Sequence, residues 1–186
     1  IRQQKGSPPK KKIDAQTKIY YNVEVDVLIQ KFTRSIGSNR PVVMIWRNTY
    51  DWNQKSVKNL QEKKLLAQKA ASLIKEKDVI FIDAGTTTAF LIKELVNKNI
   101  TVVTNSIHHA VQLVEKQIPT VMVGGSVKMA TDASIGGVAL NQINQLHFDR
   151  AFIGMNGVDD GYYTTPDMEE GAVKRAILEN AKQTYV

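Results

Sequence analysis

The stretch Val79-Ile80-Phe81-Ile82-Asp83-Ala84-Gly85-Thr86-Thr87-Thr88 decides how this chain is read. Four consecutive apolar residues predict a strand buried on both faces, and the amphipathic run from Thr87 to Val96 predicts a helix behind it. Gly85 lets the backbone turn sharply between the two. A helix N-terminus leaves N–H groups unpaired and carries partial positive charge, so three hydroxyls beside it form a receptor for a phosphate-sized anion. The same residues would also serve as an ordinary helix cap. A second turn of similar build favours the anion: Thr101-Val102-Val103 runs into Thr104-Asn105-Ser106 and then an apolar helical run to Val114. Two adjacent strand ends would then present hydroxyls and amides on one edge, where open α/β sheets bind ligands.

Outward from this stretch the pattern alternates. Strands are expected at residues 79–83, 100–104, 120–123 and 150–154, and helices at 87–97, 107–116, 137–146 and 167–183. Such alternation predicts an α/β fold, a mostly parallel sheet flanked by helices. Upstream, Leu60, Leu65, Leu66, Ala67, Ala70, Ala71, Leu73 and Ile74 form a helical stripe that leads into the first strand. Residues 19–29 and 42–46 are β-like, and residues 1–16 have the composition of a disordered arm.

Composition separates the chain into two parts. The net charge is +7 over 186 residues. Residues 1–57 carry 11 Lys and Arg against 4 Asp and Glu, whereas residues 58–186 carry 14 of each sign. The basic excess therefore belongs to the first segment, which can offer a nucleic acid non-specific phosphate contacts or simply remain solvated. There is no cysteine, hence no disulfide framework or thiolate metal site, and a reducing cytoplasm suits the chain. No apolar run approaches the roughly 20 residues that a membrane span needs, so no membrane partner is expected.

Later turns add polar groups to the same edge. Gly124 and Gly125 end the third strand and permit close backbone approach to a ligand, or simply a turn. The Gly-rich segment 154–161 ends the fourth strand and carries Asp159 and Asp160. In the last helix Glu170 and Lys174 are spaced i, i+4, which favours a plain surface ion pair. His108, His109 and His147 do not have metal-ligand spacing, and no serine triad, nucleophile elbow or Gly-Lys-Ser/Thr phosphate loop is present. Asp83, Asp159 and Asp160 remain as acid/base candidates.

With these turns assembled, residues 59–186 resemble the effector-sensing domain of DeoR-family transcriptional regulators, bacterial repressors that answer to phosphorylated sugars. The resemblance rests on Glu62-Lys63 with Leu66-Ala67, on Ile80-Phe81-Ile82-Asp83-Ala84-Gly85-Thr86-Thr87-Thr88, and on Val103-Thr104-Asn105-Ser106. It continues through Gly124-Gly125, Ser134 with Gly136, Phe148-Asp149-Arg150-Ala151-Phe152-Ile153-Gly154, Gly157, Gly161 with Thr164, and Lys174. It implies a Rossmann-like fold akin to ribose-5-phosphate isomerase, with a phosphosugar held by the loop that contains Gly85, Thr86, Thr87 and Thr88, by Thr104, Asn105 and Ser106, and by Gly124 and Gly125. Asp83, Asp159 and Lys174 would lie near the sugar. It further implies a homo-oligomer that binds its effector without a cofactor or metal and without changing it. An isomerase-like enzyme on the same fold, with Asp159 or Asp160 as base, is the competing reading.

Two departures from the family pattern stand out. Its regulators begin with a winged helix-turn-helix, and residues 1–57 show nothing of that element, so operator recognition is not expected from them. Back-translation of Arg40-Pro41-Val42-Val43-Met44-Ile45-Trp46-Arg47, read from each third codon base, permits Thr-Arg-Arg-Asp-Asp-Leu-Glu-Glu, close to the run carried by the family's DNA-reading helix. A frameshifted or wrongly joined segment would produce that relation. The family pattern also continues past a strand like Thr184-Tyr185-Val186, so an incomplete C-terminal end is expected.

Overall fold

The computed structural model describes residues 42–44, 59–96, 99–159 and 162–186. The expectations for residues 1–16 and 19–29, and all but residues 42–44 of the basic segment, lie outside the described residues. In chain order the elements are β1 (Val42–Met44), α1 (Leu60–Leu73), β2 (Val79–Ile82), α2 (Thr86–Glu94), β3 (Thr101–Thr104), α3 (Ile107–Glu115) and β4 (Thr120–Met122). There follow β5 (Ser126–Lys128), β6 (Ala133–Ile135), α4 (Gly136–Asn144), β7 (Phe148–Phe152), β8 (Gly157–Asp159), β9 (Tyr162–Thr165), α5 (Met168–Asn180) and β10 (Ala181–Tyr185).

Five strands form the central sheet in the order β10-β7-β2-β3-β4, and each neighbouring pair is parallel. The chain winds outward from β2 through β3 to the edge strand β4, then returns to place β7 and β10 on the other side of β2. The direction of winding thus reverses between β2 and β7, the position at which open α/β sheets form a ligand crevice beyond the carboxyl ends of their strands. A short antiparallel pair, β5 and β6, and a three-stranded sheet in the order β1-β9-β8 complete the described structure.

Alternation along β2 sorts the core into two layers. Ile80 and Ile82 pack with Ala67, Ala70, Leu91, Ile92 and Leu113 on one face. Phe81 packs with Ala139, Ile143, Phe148 and Ile177 on the other. Helices α1 to α3 contribute to the first layer, and α4 and α5 to the second.

Two sequence expectations are corrected here. The buried stripe of α1 is not leucine-rich: Leu60 and Leu65 are exposed, and Lys63, Ala67, Ala70 and Ala71 face inward. Small alanines let α1 approach α2 closely, a contact that periodicity alone does not distinguish from a leucine seam. The last helix also stops earlier than expected. It ends at Asn180, and Ala181 opens β10 at once, because residues 181–185 pair in parallel with β7 and that ladder outweighs the helix propensity of Ala181, Lys182 and Gln183.

Candidate functional site

The carboxyl ends of β2, β3 and β7 meet in one hydrogen-bonded assembly. Asp83 follows β2 and is buried, with only 1% of its surface exposed. Its Oδ2 accepts a hydrogen bond from Lys174 Nζ of α5 and another from the Gly154 amide at 3.2 Å. Its own amide donates to the Phe152 carbonyl at 3.0 Å. The carboxylate therefore clasps β2, β7 and α5 at the point where the winding reverses. Burial raises the Asp83 pKa above the ordinary carboxylate range, with the nearby Glu170 charge in the same sense, while Lys174 and the Gly154 amide act against it.

Lys174 does not form the surface pair with Glu170 that its spacing suggested. It is buried, and its partner lies 91 residues away in sequence. Glu170 instead accepts from Lys128 at 3.1 Å and Thr131 at 2.8 Å. Lys128 also meets Asp167 at 2.8 Å. A buried ammonium needs a counter-charge, and Asp83 supplies it.

The first loop lies on this clasp. The Ala84 amide donates to Asn105 Oδ1 at 3.0 Å. Thr88 is buried, and its hydroxyl lies 2.7 Å from the Asp83 carbonyl and 2.8 Å from that of Gly85. Thr88 thus holds the loop together through its side chain. Thr86 and Thr87 open α2 and are half-buried. Thr86 Oγ1 accepts from Lys63 Nζ of α1 at 3.0 Å. The sequence reading omitted Lys63 from the site. Its signal was a lysine at i−4 of Ala67 on the inward stripe, where a cation needs a polar destination.

The second loop stands behind the first as a brace. Thr104 Oγ1 donates to the Ile82 carbonyl at 2.7 Å and accepts from the Ser106 amide at 3.1 Å. The Asn105 carbonyl accepts from the Ser134 amide at 2.7 Å. Ser106 caps α3 through the His109 amide at 3.2 Å. All three side chains are buried. His109 is also buried, and its Nε2 lies 3.2 Å from the Gly85 carbonyl. Its neighbour His108 is exposed.

The remaining predicted residues are less closely joined. The Gly124 amide donates to Gln142 Oε1 of α4 at 2.8 Å, beyond the edge strand β4. Gly125 has φ +136°, and a Cβ there would meet the Ile135 carbonyl at 2.6 Å, so glycine is required at that close approach. Asp159 lies on β8, opposite Tyr162 in the three-stranded sheet. Its side chain, with Asp160 and Gly161, is outside the described residues. Among the described residues no group of His, Asp and Glu side chains could hold a metal ion, and no helix is long and apolar enough to cross a membrane.

A model of the DeoR C-terminal sensor domain matches residues 58–186. The chain belongs to the DeoR family. An uncharacterised HTH-type transcriptional regulator of Bacillus subtilis, FruR, is 44% identical over 138 residues, covering 73% of this chain and 55% of the relative. The lactose phosphotransferase system repressor of Staphylococcus aureus is 30% identical over 136 residues, covering 72% of this chain and 54% of the relative. The DeoR-type chain thus spans about half the length of the curated relatives it matches. A solved ribose 5-phosphate isomerase A from Methanocaldococcus jannaschii superposes with a TM-score of 0.50 at 19% identity, over 68% of this chain and 51% of that one. The DeoR sensor domain shares that α/β fold.

Proposed function

We propose that the carboxyl edge of this sensor domain binds a phosphorylated sugar, and that occupancy modulates DNA binding by a transcriptional repressor of a sugar-metabolism operon. One observation carries the reading: a buried lysine, Lys63, reaches Thr86 at the start of α2, where the helix already favours an anion. The phosphate would sit against the amides and hydroxyls of Thr86 and Thr87, with Lys63 as its counter-charge. The sugar would extend toward Asp83 and Lys174, whose paired charges can accept and donate hydrogen bonds to hydroxyls. On this reading the repressor contacts its operator as a homo-oligomer in the cytoplasm, which suits a family of transcriptional regulators.

The effector is held and released without conversion. Asp83, the one buried carboxylate at this edge among the described residues, already accepts from an ammonium and an amide, and is not a free base facing a substrate carbon. Its raised pKa is the feature an isomerase would use, and it is the observation on the side of that second reading. Incubation with a panel of aldose and ketose phosphates, followed by NMR, separates the two. Shifted, broadened sugar signals without new products are expected, and appearance of an isomerised sugar at catalytic protein concentration would replace sensing with catalysis.

A further inference from the structure

The Gly85 carbonyl is the most heavily engaged group of the first loop. It accepts the first hydrogen bond of α2 from the Ala89 amide at 3.0 Å, lies 2.8 Å from the Thr88 hydroxyl, and lies 3.2 Å from His109 Nε2. A carbonyl oxygen cannot donate, so the His109 contact is a hydrogen bond only if the ring carries its proton on Nε2. In a trans peptide plane the carbonyl of one residue and the N–H of the next point in opposite directions. Whatever anchors the Gly85 oxygen therefore aims the Thr86 N–H the other way, toward the open end of α2.

We propose that His109 is a positioning residue for the anion loop, holding the Gly85 carbonyl inward through Nε2–H so that the Thr86 N–H faces the bound phosphate. The inference rests on the phosphate reading of that loop. It gives the second loop a purpose beyond bracing: Ser106 caps α3 through the His109 amide itself, and so fixes the helix turn that delivers the ring. Burial pushes the His109 pKa down to about 4, with the His108 charge in the same sense and the Gly85 carbonyl opposing. The ring is neutral at physiological pH. A neutral donor organises the loop without adding a second cation beside Lys63, so anion selectivity stays with the lysine. Without the ring the Gly85 carbonyl keeps only its Ala89 and Thr88 partners, and the Gly85–Thr86 peptide is held less firmly in the orientation that the phosphate needs.

The test uses the whole chain, inorganic phosphate as probe and the backbone amides of residues 85–89 as NMR reporters. In the wild-type protein, nitrogen-15 spectra of the His109 ring should show the neutral Nε2–H tautomer. His109→Leu should weaken phosphate binding roughly tenfold, and should speed hydrogen exchange at the Ala89 amide by a similar factor without ligand, about the worth of one net hydrogen bond. His109→Gln, whose amide nitrogen reaches the position of Nε2, should bind phosphate within about threefold of wild type on the same scale. A folded leucine variant with unchanged phosphate binding and unchanged Ala89 exchange overturns the proposal, as does a wild-type ring protonated on Nδ1. If the leucine variant does not fold, the wild-type tautomer and the glutamine variant decide. If phosphate moves no loop amide in the wild type, the phosphate reading falls, while the ring tautomer and Ala89 exchange still judge the role of His109.

Discussion

Strand β2 is flanked by two buried aspartates, each bound to a buried cation, and the two ends of the strand differ in what surrounds the pair. Before the strand, Asp78 Oδ2 accepts from Arg150 of β7 and from the Lys75 amide at 2.7 Å. Nearby, Asp149 accepts from the Val79 amide at 3.0 Å and from Lys182 at 2.7 Å. These bonds tie strands and their approaches together. After the strand, Asp83 meets Lys174, but here two loops, a helix start and Lys63 lie alongside. On the proposed function, similar buried pairs serve different ends: the amino-end pair fastens the sheet, and the carboxyl-end pair would also form the floor of a receptor. Fold class does not separate the two; only the loops do.

The largest expected effects break each pair in turn. Arg150→Met leaves Asp78 buried without its cation and should cost about 3 to 5 kcal/mol of stability, with phosphosugar affinity unchanged in the protein that remains folded. Lys174→Met should cost a similar amount, about 3 to 5 kcal/mol, and should abolish measurable affinity as well. Denaturant unfolding and calorimetric titration of both variants make the comparison. Equal ligand affinity in the two would show that the ends of β2 are equivalent and that Asp83 and Lys174 are outside the site.

A pH experiment isolates the carboxyl end. His109 has a folded pKa of about 4 against 6.5 unfolded, so the unfolded chain binds more protons between these values. Its contribution to stability is complete above pH 6.5 and is lost as pH falls toward 4. The shift corresponds to about 3 kcal/mol at most. Urea unfolding at pH 7.5 and pH 4.5 should therefore differ by less in His109→Gln than in the wild type. An identical pH dependence would place the ring in contact with water.

Thr87→Val addresses the receptor alone. Loss of a hydroxyl facing a charged acceptor should weaken phosphosugar binding by about 1 to 3 kcal/mol and leave unfolding unchanged. Titration with a phosphorylated sugar and its unphosphorylated form checks that the loss falls on the phosphate. The smallest effect belongs to the amino end. Lys182→Ala removes an exposed partner of Asp149, and the cost in unfolding experiments should stay below about 1 kcal/mol. A larger cost would mean that this surface pair takes part in fastening the sheet.

Much of the sheet was legible because its strands are buried on both faces. Val79 to Ile82, Val102 with Val103, and Ala151 to Ile153 are continuous apolar runs, and glycine and hydroxyl residues follow each end where the chain must turn. Elements that owe their form to partners were not legible. Lys182 and Gln183 of β10 are good helix formers, drawn into a strand by β7. Val127 of β5 and Ser134 of β6 take shape from pairing with each other across a short hairpin. The same distinction holds in the site. Asp83, Thr86 and Thr87 announce themselves locally, through glycine and a helix start. The burial of Lys174, the reach of Lys63 and the contact of His109 are set by residues 91, 23 and 24 positions away. Spacing within one helix suggested Glu170 for Lys174, and that inference failed because α5 turns its lysine inward and its glutamate toward the hairpin.

That division along α5 has a mechanical consequence. The helix is a short rod with two fixtures: Asp167 and Glu170 grip Lys128 of the hairpin at its start, and Lys174 is seated on Asp83 at its middle. The first fixture is partly open to water and its charges are screened as salt rises; the second is sealed and is not. Ionic strength is therefore a selective wrench on this domain, loosening the hairpin's grip on the rod while the seat at Asp83 stays fastened.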